Sequence, residues 1–277
     1  MSLTWEGEPL PARIMPGPLG YLLALLRVVP LALLVFGGLL VLLSLRLIER
    51  PLCGLHRPVT PHVTRFVCRN AFRCLGLRFG IKGRPMRERG AVVANHSSWL
   101  DIFALNTGDR LYFVSKVEVR SWLGIGWLAR ATGTLFIERD RTKARAHADL
   151  MQQRLLIGHK ILFFPEGTST DGQRVLPFRT SLFAAFYEED LRDTIQVQPV
   201  SVVYHAPSSK DRRHYGWWGE MSFGGHLIQV LSTWPQGRVE VAYHTPIAVA
   251  NCAGRKALAA ACEAAVRAGH TNQLLDG

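Results

Sequence analysis

The sequence predicts an α/β fold in which a mainly parallel sheet is flanked by helices, preceded by an N-terminal membrane-embedded helix and a basic interfacial helix. Three observations predict this fold. An uncharged apolar run of bilayer length lies near the N-terminus, and a cationic segment follows it directly. From Ile81 onward, short apolar runs typical of buried strands alternate with helical stretches, which is the order that builds a parallel sheet.

The composition supports a globular domain. The chain has 277 residues, which is ample for one α/β domain with a sizeable core. Apolar residues make up 48% and charged residues 19%, so a disordered chain is excluded. The 5 cysteines are odd in number and none forms a CxxC pair, which argues against a disulfide scaffold and a zinc ribbon. Reduced thiols in a cytosol-facing domain are expected.

The predicted membrane helix is the uncharged run Val28–Leu45, which spans about 27 Å at 1.5 Å per residue. A signal peptide fits poorly, because the run begins late and lacks a small-residue cleavage site. Pro30 and the Gly37–Gly38 pair argue against a buried soluble helix but are tolerated in membranes. Arg27 interrupts an apolar run that extends upstream, so a re-entrant or surface-lying hairpin remains an alternative to a transmembrane helix.

The next segment has the pattern of a basic amphipathic helix. Arg65, Arg69 and Arg73 are four residues apart and share one helix face, with apolar side chains opposite. This pattern predicts a helix pressed against anionic lipid, or else the solvated face of an ordinary helix. Arg46, Arg50 and Arg57 follow the apolar run, so its C-terminal side is expected in the cytoplasm, at the inner or plasma membrane.

The charge distribution favours a membrane surface as partner over nucleic acid. The net charge is +12, and residues 46–89 alone contain 11 basic and 2 acidic residues. A short cationic stretch beside an apolar segment is typical of proteins that bind anionic lipid. We therefore expect a lipid bilayer, and no nucleic acid, as a partner.

The remainder of the chain predicts six strands, two of the intervening helices and one insertion. The region 206–237 breaks the alternation and is rich in Gly, Trp, His and Arg, which predicts a long insertion; its Trp217 and Trp218 lie either at a lipid interface or in a packed aromatic cluster. The predicted strands are Ala91–Ala94, Leu111–Val114, Thr134–Ile137, Ile161–Phe164, Val197–Tyr204 and Val239–Tyr243, and the predicted helices are Thr142–Ile157 and Thr180–Asp190.

The first candidate for catalysis is the motif NHSSWLD. His96 ends a buried strand, and Asp101 follows five residues later. A helix that starts near Ser98 allows the Asp101 carboxylate to turn back towards the imidazole. A carboxylate in that position fixes the histidine tautomer and stabilises the imidazolium, so His96 becomes a competent general base for deprotonating an alcohol.

Three further motifs are candidates for the site. Two of them continue past the end of a predicted strand, and the third is itself a predicted strand. In ILFFPEGTSTDG, a turn at Glu166, Gly167 and Thr168 brings a carboxylate and backbone N–H groups to one sheet edge. In GTLFIERDR, Arg139 is either a clamp for phosphate or carboxylate or part of a solvated helix start. In VQPVSVVY, Pro199 places an apolar wall beside the site.

Taken in chain order, NHSSWLD, GTLFIERDR, FPEGTSTDG and VQPVSVVY resemble the four motifs of the glycerolipid acyltransferase family, the type that acylates 1-acylglycerol-3-phosphate. The resemblance covers about residues 81–204, and the N-terminal anchor also fits. It implies a membrane-bound O-acyltransferase that moves a fatty acyl group from an acyl thioester to the free hydroxyl of a lysolipid. The chain then divides into an N-terminal tail and membrane anchor (1–50), a basic interfacial helix (51–80) and an acyltransferase domain (81–277).

The resemblance implies a role for each motif. His96 is the general base and Asp101 its orienting partner; no metal, no cofactor and no covalent acyl-enzyme are required. The co-substrate is acyl carrier protein or coenzyme A carrying the acyl thioester. The remaining motif residues bind acceptor or acyl donor: Phe136, Ile137 and Arg139 of the second motif, Glu166, Gly167 and Thr168 of the third, and Pro199 of the fourth.

One position departs from the family pattern. The family commonly has Arg directly after EGT, where this chain has Ser169. Either Arg139 or Arg179 then binds the phosphate of the acceptor, or the acceptor carries no simple phosphate. Phosphatidic-acid synthesis is placed first because it is the commoner role in the family. Acylation of lyso-ornithine lipid, a zwitterionic acceptor, is the alternative, since EGTSTDGQRVLPFRTSLF is similar to such members.

Other classes fit less well. A hydrolase using Ser97 or Ser98 with His96 would lack the GxSxG turn and would place the nucleophile beside its base in sequence. An inactive membrane scaffold is a remote alternative, against which the intact His96, Asp101 and Glu166 argue. A metal site is not expected, because the 10 histidines are scattered and no HExxH is present.

Overall fold

The structure, a computed structural model, describes residues 5, 7, 9–11, 15–138 and 140–276. The helices are α1 (Pro18–Cys53), α2 (Thr60–Leu75), α3 (Asp101–Gly108), α4 (Ile125–Thr132), α5 (Ala144–Leu156), α6 (Glu189–Arg192), α7 (Phe223–Ser232) and α8 (Arg255–Leu275). The strands are β1 (Arg78–Lys82), β2 (Gly90–Ala94), β3 (Leu111–Lys116), β4 (Leu135–Ile137), β5 (Lys160–Phe163), β6 (Gln196–His205), β7 (Arg238–Tyr243) and β8 (Ile247–Ala248).

The sheet is mainly parallel, as predicted. Its order is β1-β7-β6-β2-β5-β3-β4, with β8 paired to β6. The five strands from β6 to β4 run parallel, whereas β7 is antiparallel to β6 and carries β1 beside it. Strand β2 lies at the centre and is buried along its whole length. The carboxyl ends of β2 and β5 therefore meet at one edge of the sheet.

Helices cover both faces of the sheet. One apolar core lies beneath α1, α2, α3 and α7, and a second lies beneath α5, α8 and a 3-10 helix at Leu182–Tyr187. Successive residues of β2 belong to opposite cores, because side chains alternate across a strand. The six predicted strands are each present to within one or two residues at either end.

Two features of the structure differ from the expectation. Strands β1 and β8 were not expected, because they have no apolar run that would mark them in the sequence. Most of the stretch Thr180–Asp190 is the 3-10 helix, and the short α6 begins only at Glu189. Phe183 and Phe186 are both fully buried, and their spacing of three residues matches the three-residue turn of a 3-10 helix.

Helix α1 extends well beyond the predicted run. Its 36 residues span about 54 Å, and it is the one helix of the described chain that is long and apolar enough to cross a membrane. One face packs against the protein: a Cβ at Gly38 would collide with Val67 of α2, so glycine permits the close approach. Arg27 is buried and donates hydrogen bonds to the carbonyl oxygens of Leu231 and Thr233 at 2.8 and 2.7 Å. Arg27 therefore joins α1 to α7.

Helix α2 has the predicted amphipathic pattern. Cys68, Phe72 and other apolar residues on one face are buried, whereas Arg65, Arg69 and Arg73 are exposed. The contact of that exposed face with lipid stays a prediction.

The insertion 206–237 is ordered around α7. Ser222 caps this helix by accepting a hydrogen bond from the Gly225 N–H at 3.3 Å. Trp218 is buried, and Trp217 is half-buried with its ring edge-on to Phe223. The structure thus places both tryptophans in packed aromatic contacts.

Candidate active site

The first and third motifs meet at one edge of the sheet. His96 lies two residues beyond β2, and Glu166 lies three residues beyond β5. The strands are parallel neighbours with Val93 opposite Phe163, so the loops that follow them emerge side by side. Loops beyond the carboxyl ends of parallel strands are the usual place for functional groups in such sheets.

His96 and Asp101 form the predicted pair. Nδ1 of His96 lies 2.7 Å from Oδ2 of Asp101. Asp101 is the first residue of α3, which turns its carboxylate back over the end of β2. The Asp101 side chain is fully buried, while the imidazole keeps 21% of its surface exposed. A buried carboxylate thus holds an imidazole that substrate can reach.

Further hydrogen bonds hold the Asp101 carboxylate in place. Oδ2 accepts the backbone N–H groups of Ser97 at 2.8 Å and Ser98 at 3.0 Å. Oδ1 accepts the hydroxyl of Tyr204 at 2.7 Å. Burial, together with the neighbouring Asp101 charge, raises the pKa of Tyr204 well above its ordinary value, so the hydroxyl remains a donor. The carboxylate is fixed on both oxygens.

The imidazole is also fixed by its surroundings. Its ring stacks on Phe164, with centroids 4.0 Å apart and planes 11° from parallel. The His96 carbonyl oxygen accepts the Thr170 N–H at 2.9 Å, which ties this loop to the third motif. With Nδ1 occupied by Asp101, Nε2 is the nitrogen that can accept a proton from a substrate.

The end of β2 is anchored from β6. The Asn95 side chain donates to the Val202 carbonyl at 2.9 Å and accepts the Val202 N–H at 2.8 Å. These two side-chain hydrogen bonds take the place of backbone hydrogen bonds between β2 and β6, and they hold the backbone at Asn95, directly before His96.

Glu166 lies under this loop. It is only 2% exposed, and Oε1 accepts the His96 backbone N–H at 3.3 Å. Oε2 has no hydrogen-bond partner among the residues that the structure describes. Burial raises the pKa of Glu166 well above its ordinary value. Glu166 thus interacts with the backbone of His96 and of Leu176, inside the protein.

The raised pKa of Glu166 predicts a pH effect on stability. The folded protein keeps this proton at pH values where the unfolded chain has lost it, so stability is full below the ordinary Glu pKa and is lost as pH rises towards the folded-state pKa. In Glu166→Gln, whose side chain is neutral throughout, we expect a smaller fall in melting temperature between pH 6 and pH 8 than in the wild type. Thermal unfolding in detergent measures this, with the exposed Glu220→Gln as control. Equal falls in wild type and Glu166→Gln would contradict the prediction.

The residues that follow Glu166 in the third motif lie in the loop beyond β5. Gly167 has φ +72°, which requires glycine, and the Arg179 side chain lies over it. The half-buried Thr168 accepts the Trp5 N–H at 3.3 Å. Ser169 is also half-buried. Gly167 and Thr168 are therefore at the same edge as His96.

Among the described residues of the second and fourth motifs, Phe136, Ile137 and Pro199 are not in contact with the imidazole. Phe136 and Ile137 lie on β4, three strands from β2, which corresponds to about 14 Å. Arg139 lies outside the described residues. Pro199 is buried within β6 opposite Val93, so it packs inside the sheet.

The sequence did not mark Tyr204, Phe164 or Thr170 as contacts of the pair. All three lie within the quoted motifs, and Tyr204 and Phe164 end or follow apolar strands. A polar hydroxyl at the end of VVY was the one available signal for Tyr204. Its contact with Asp101 depends on β6 lying next to β2, and the local pattern does not contain that information.

Two alternatives find no support in the geometry. Ser97 and Ser98 are buried, and no hydrogen bond joins either hydroxyl to the His96 ring among the described residues. Over the same part of the chain, no group of three or more His, Cys, Asp or Glu side chains is arranged to hold a metal ion.

Comparison with known proteins defines the class. Residues 80–203 match the family model described as Acyltransferase. The fold is that of the 1-acyl-sn-glycerophosphate acyltransferase PlsC from Thermotoga maritima, with a TM-score of 0.64 at 20% identity over 92% of this chain and 95% of that one.

Sequence relatives are more specific. The chain is 55% identical to a lyso-ornithine lipid O-acyltransferase from Rhodobacter capsulatus, over 96% of each chain. It is 36% identical to a 1-acyl-sn-glycerol-3-phosphate acyltransferase from Neisseria gonorrhoeae, over 39% of this chain and 43% of that protein. The chain belongs to the acyltransferase family, and it is an enzyme that acylates lysolipids.

Proposed function

We propose that this protein is a lyso-ornithine lipid O-acyltransferase. The observation that carries the proposal is the 55% identity to a protein of that name over 96% of both chains. The relative that acts on 1-acylglycerol-3-phosphate matches only 39% of this chain. The comparisons thus favour acylation of lyso-ornithine lipid over phosphatidic-acid synthesis, the commoner role in the family. Ser169, where the family commonly has Arg, agrees with an acceptor that lacks a phosphate.

The chemistry follows from the His96–Asp101 pair. Nε2 of His96 takes the proton of the acceptor hydroxyl while that oxygen attacks the carbonyl carbon of an acyl thioester. Asp101, 2.7 Å from Nδ1, stabilises the imidazolium that forms. The tetrahedral intermediate collapses with loss of the thiolate, which takes the proton from Nε2. An ester and a free thiol result, without a metal, a cofactor or an acyl-enzyme.

Arg179 is the residue that we assign to the acceptor head group. Its side chain is exposed and lies over Gly167, beside the loop that carries Thr168 and Ser169. Ornithine carries an α-carboxylate, and the guanidinium group binds carboxylates through paired hydrogen bonds. Phe136, Ile137 and Arg139 stay assigned to the acceptor and Pro199 to the acyl donor, on the resemblance of their motifs alone.

Arg179→Ala is expected to raise KM for the lysolipid about tenfold while kcat changes little, because a charge-assisted hydrogen bond at an exposed position contributes near the lower end of about 1.5–3 kcal/mol. Because Arg179 is exposed, the variant should fold normally. Initial rates over a range of acceptor concentration measure the effect, and Arg192→Ala, another exposed arginine, is the control. An unchanged KM in Arg179→Ala would remove Arg179 from the acceptor site.

We also propose that the enzyme works at the inner membrane with residues 81–277 in the cytoplasm. The exposed face of α1 carries many large apolar side chains, and its other face packs on α2 and α7 along its length. One face on protein and one face exposed favour the surface-lying alternative, in which α1 and α2 lie at one leaflet. The acyl donor, acyl carrier protein or coenzyme A, is acidic and would meet a cationic protein.

The test of the function is acyl transfer by purified protein in proteoliposomes, with lyso-ornithine lipid and 1-acylglycerol-3-phosphate offered side by side. Labelled acyl carrier protein and acyl-coenzyme A thioesters serve as donors, and His96→Ala serves as the blank. Preference for lyso-ornithine lipid is expected. Preference for the phosphate acceptor would overturn the proposed acceptor and leave the acyltransferase assignment in place.

A further inference from the structure

The connection between β3 and β4 exposes an apolar tip that no motif explains. It comprises a 3-10 helix, Val117–Ser121, and α4, and we name residues 117–132 the α4 hairpin. Between its two helices Trp122 is 41% exposed and Leu123 86%, and Trp127 on α4 is 53% exposed. Leu123 is the most exposed large apolar side chain among the described residues. Leaving these groups in water is unfavourable, so the tip needs an apolar partner.

The tip is held rigidly. Gly124 has φ +72°, and a Cβ at Gly126 would collide with the Arg120 carbonyl oxygen, so both glycines are required by the backbone. The Gly126 N–H donates to the Trp122 carbonyl at 2.7 Å, and Arg130 Nη1 donates to the Arg120 carbonyl at 2.6 Å. The exposure of Leu123 is therefore a property of the folded turn.

The tip continues the apolar face of α1. A Cβ at Gly124 would lie 3.7 Å from the ring of Phe36, so the turn sits directly beside that helix. Phe36 is 44% exposed, and its neighbours Leu33 and Leu40 are 71% and 67% exposed. The α4 hairpin and α1 thus present one continuous apolar surface, although 87 residues separate Phe36 from Leu123 in the chain.

The charges around the tip suit an anionic lipid surface. Residues 116–130 carry Lys116, Arg120 and Arg130 against Glu118, a net charge of +2. Tryptophan and arginine at the border of an apolar tip are the residues enriched where proteins meet the headgroup layer. A soluble protein partner would not account for the continuity with α1.

The tip also adjoins the active site. The Trp122 ring lies edge-on to Trp217, with centroids 6.3 Å apart. The backbone N–H of Trp217 donates to the Ser97 carbonyl at 2.8 Å, one residue from His96. An apolar surface therefore leads from the exposed hairpin to the loop that carries the proposed base.

We propose that the α4 hairpin inserts Trp122, Leu123 and Trp127 into the same phospholipid leaflet as the exposed face of α1. This second contact places the rim of the active site against the bilayer, so that the lysolipid reaches His96 without leaving the membrane. The inference rests on the membrane attachment and acyl transfer proposed above.

A probe at residue 123 tests the insertion directly. Leu123→Cys is made in full-length Cys53→Ser protein, labelled with an NBD fluorophore and bound to vesicles of phosphatidylethanolamine and phosphatidylglycerol. Leu275→Cys is the matched control, because Leu275 is 81% exposed at the end of α8, which packs on the opposite face of the sheet. The Cys53→Ser parent measures background labelling.

The expected result is loss of most iodide quenching at residue 123 on vesicle addition and strong quenching by nitroxide lipids, with neither change at residue 275. A probe at 123 that iodide still reaches would overturn the proposal. Shielding from iodide without quenching by nitroxide lipid would also overturn it, since a protein contact would then cover the tip. If nitroxide lipids quench the probe at residue 123 but the protein does not acylate lyso-ornithine lipid, the proposed function is refuted and the insertion of the α4 hairpin stands.

Discussion

Replacing His96 by Ala should lower kcat for acyl transfer by about a thousandfold, because a positioned general base contributes about 10²–10⁴-fold to such a rate. Within the pair the imidazole is the exposed partner, and its Nδ1 is already bound to Asp101. Initial rates with a labelled acyl thioester measure the loss. KM for both substrates should change little, since the ring is assigned to the reaction and not to binding.

The fold should survive this change. The imidazole is 21% exposed and its main contacts are Asp101 and Phe164, so little apolar area is lost. Thermal unfolding and vesicle binding of His96→Ala should match the wild type. His62→Ala, an exposed histidine of α2, is the control and should keep full activity. A His96→Ala enzyme that transfers acyl groups at the wild-type rate would disprove the assignment of the base.

Asp101→Asn should reduce kcat by about 10²–10⁴-fold for a different reason. The amide can donate to Nδ1 and so favour the tautomer with the proton on Nε2, which cannot accept a second proton from the acceptor. It also lacks the charge that stabilises the imidazolium. The Asn oxygen can still accept some of the hydrogen bonds from Ser97, Ser98 and Tyr204, so the site should keep its shape.

Two measurements separate this effect from simple unfolding. The melting temperature of Asp101→Asn should fall far less than in Asp101→Ala, which removes every acceptor from a fully buried position. Asp149→Asn, in a surface pair with Arg145, should leave the rate unchanged. If Asp101→Asn folds and retains the wild-type kcat, the carboxylate is only a structural support for the loop.

The sequence by itself determined the six predicted strands and the pairing of His96 with Asp101. Runs such as Ala91–Ala94 are apolar enough to be buried on both faces, and that local property suffices to predict a strand. His96 and Asp101 meet because a helix begins at Asp101, so their contact depends on only six consecutive residues. The amphipathic pattern of α2 is likewise contained within one helix.

Only the tertiary structure decided the contacts that depend on strand order and helix packing. Tyr204 reaches Asp101 across 103 residues because β6 lies beside β2. Arg27, which looked like a break in the apolar helix, is buried against α7, 204 residues away in the chain. A sequence pattern reports whether a side chain prefers burial, but the identity of its partner is set by which elements become neighbours. For the same reason Leu123, unremarkable in sequence, became the exposed tip beside α1.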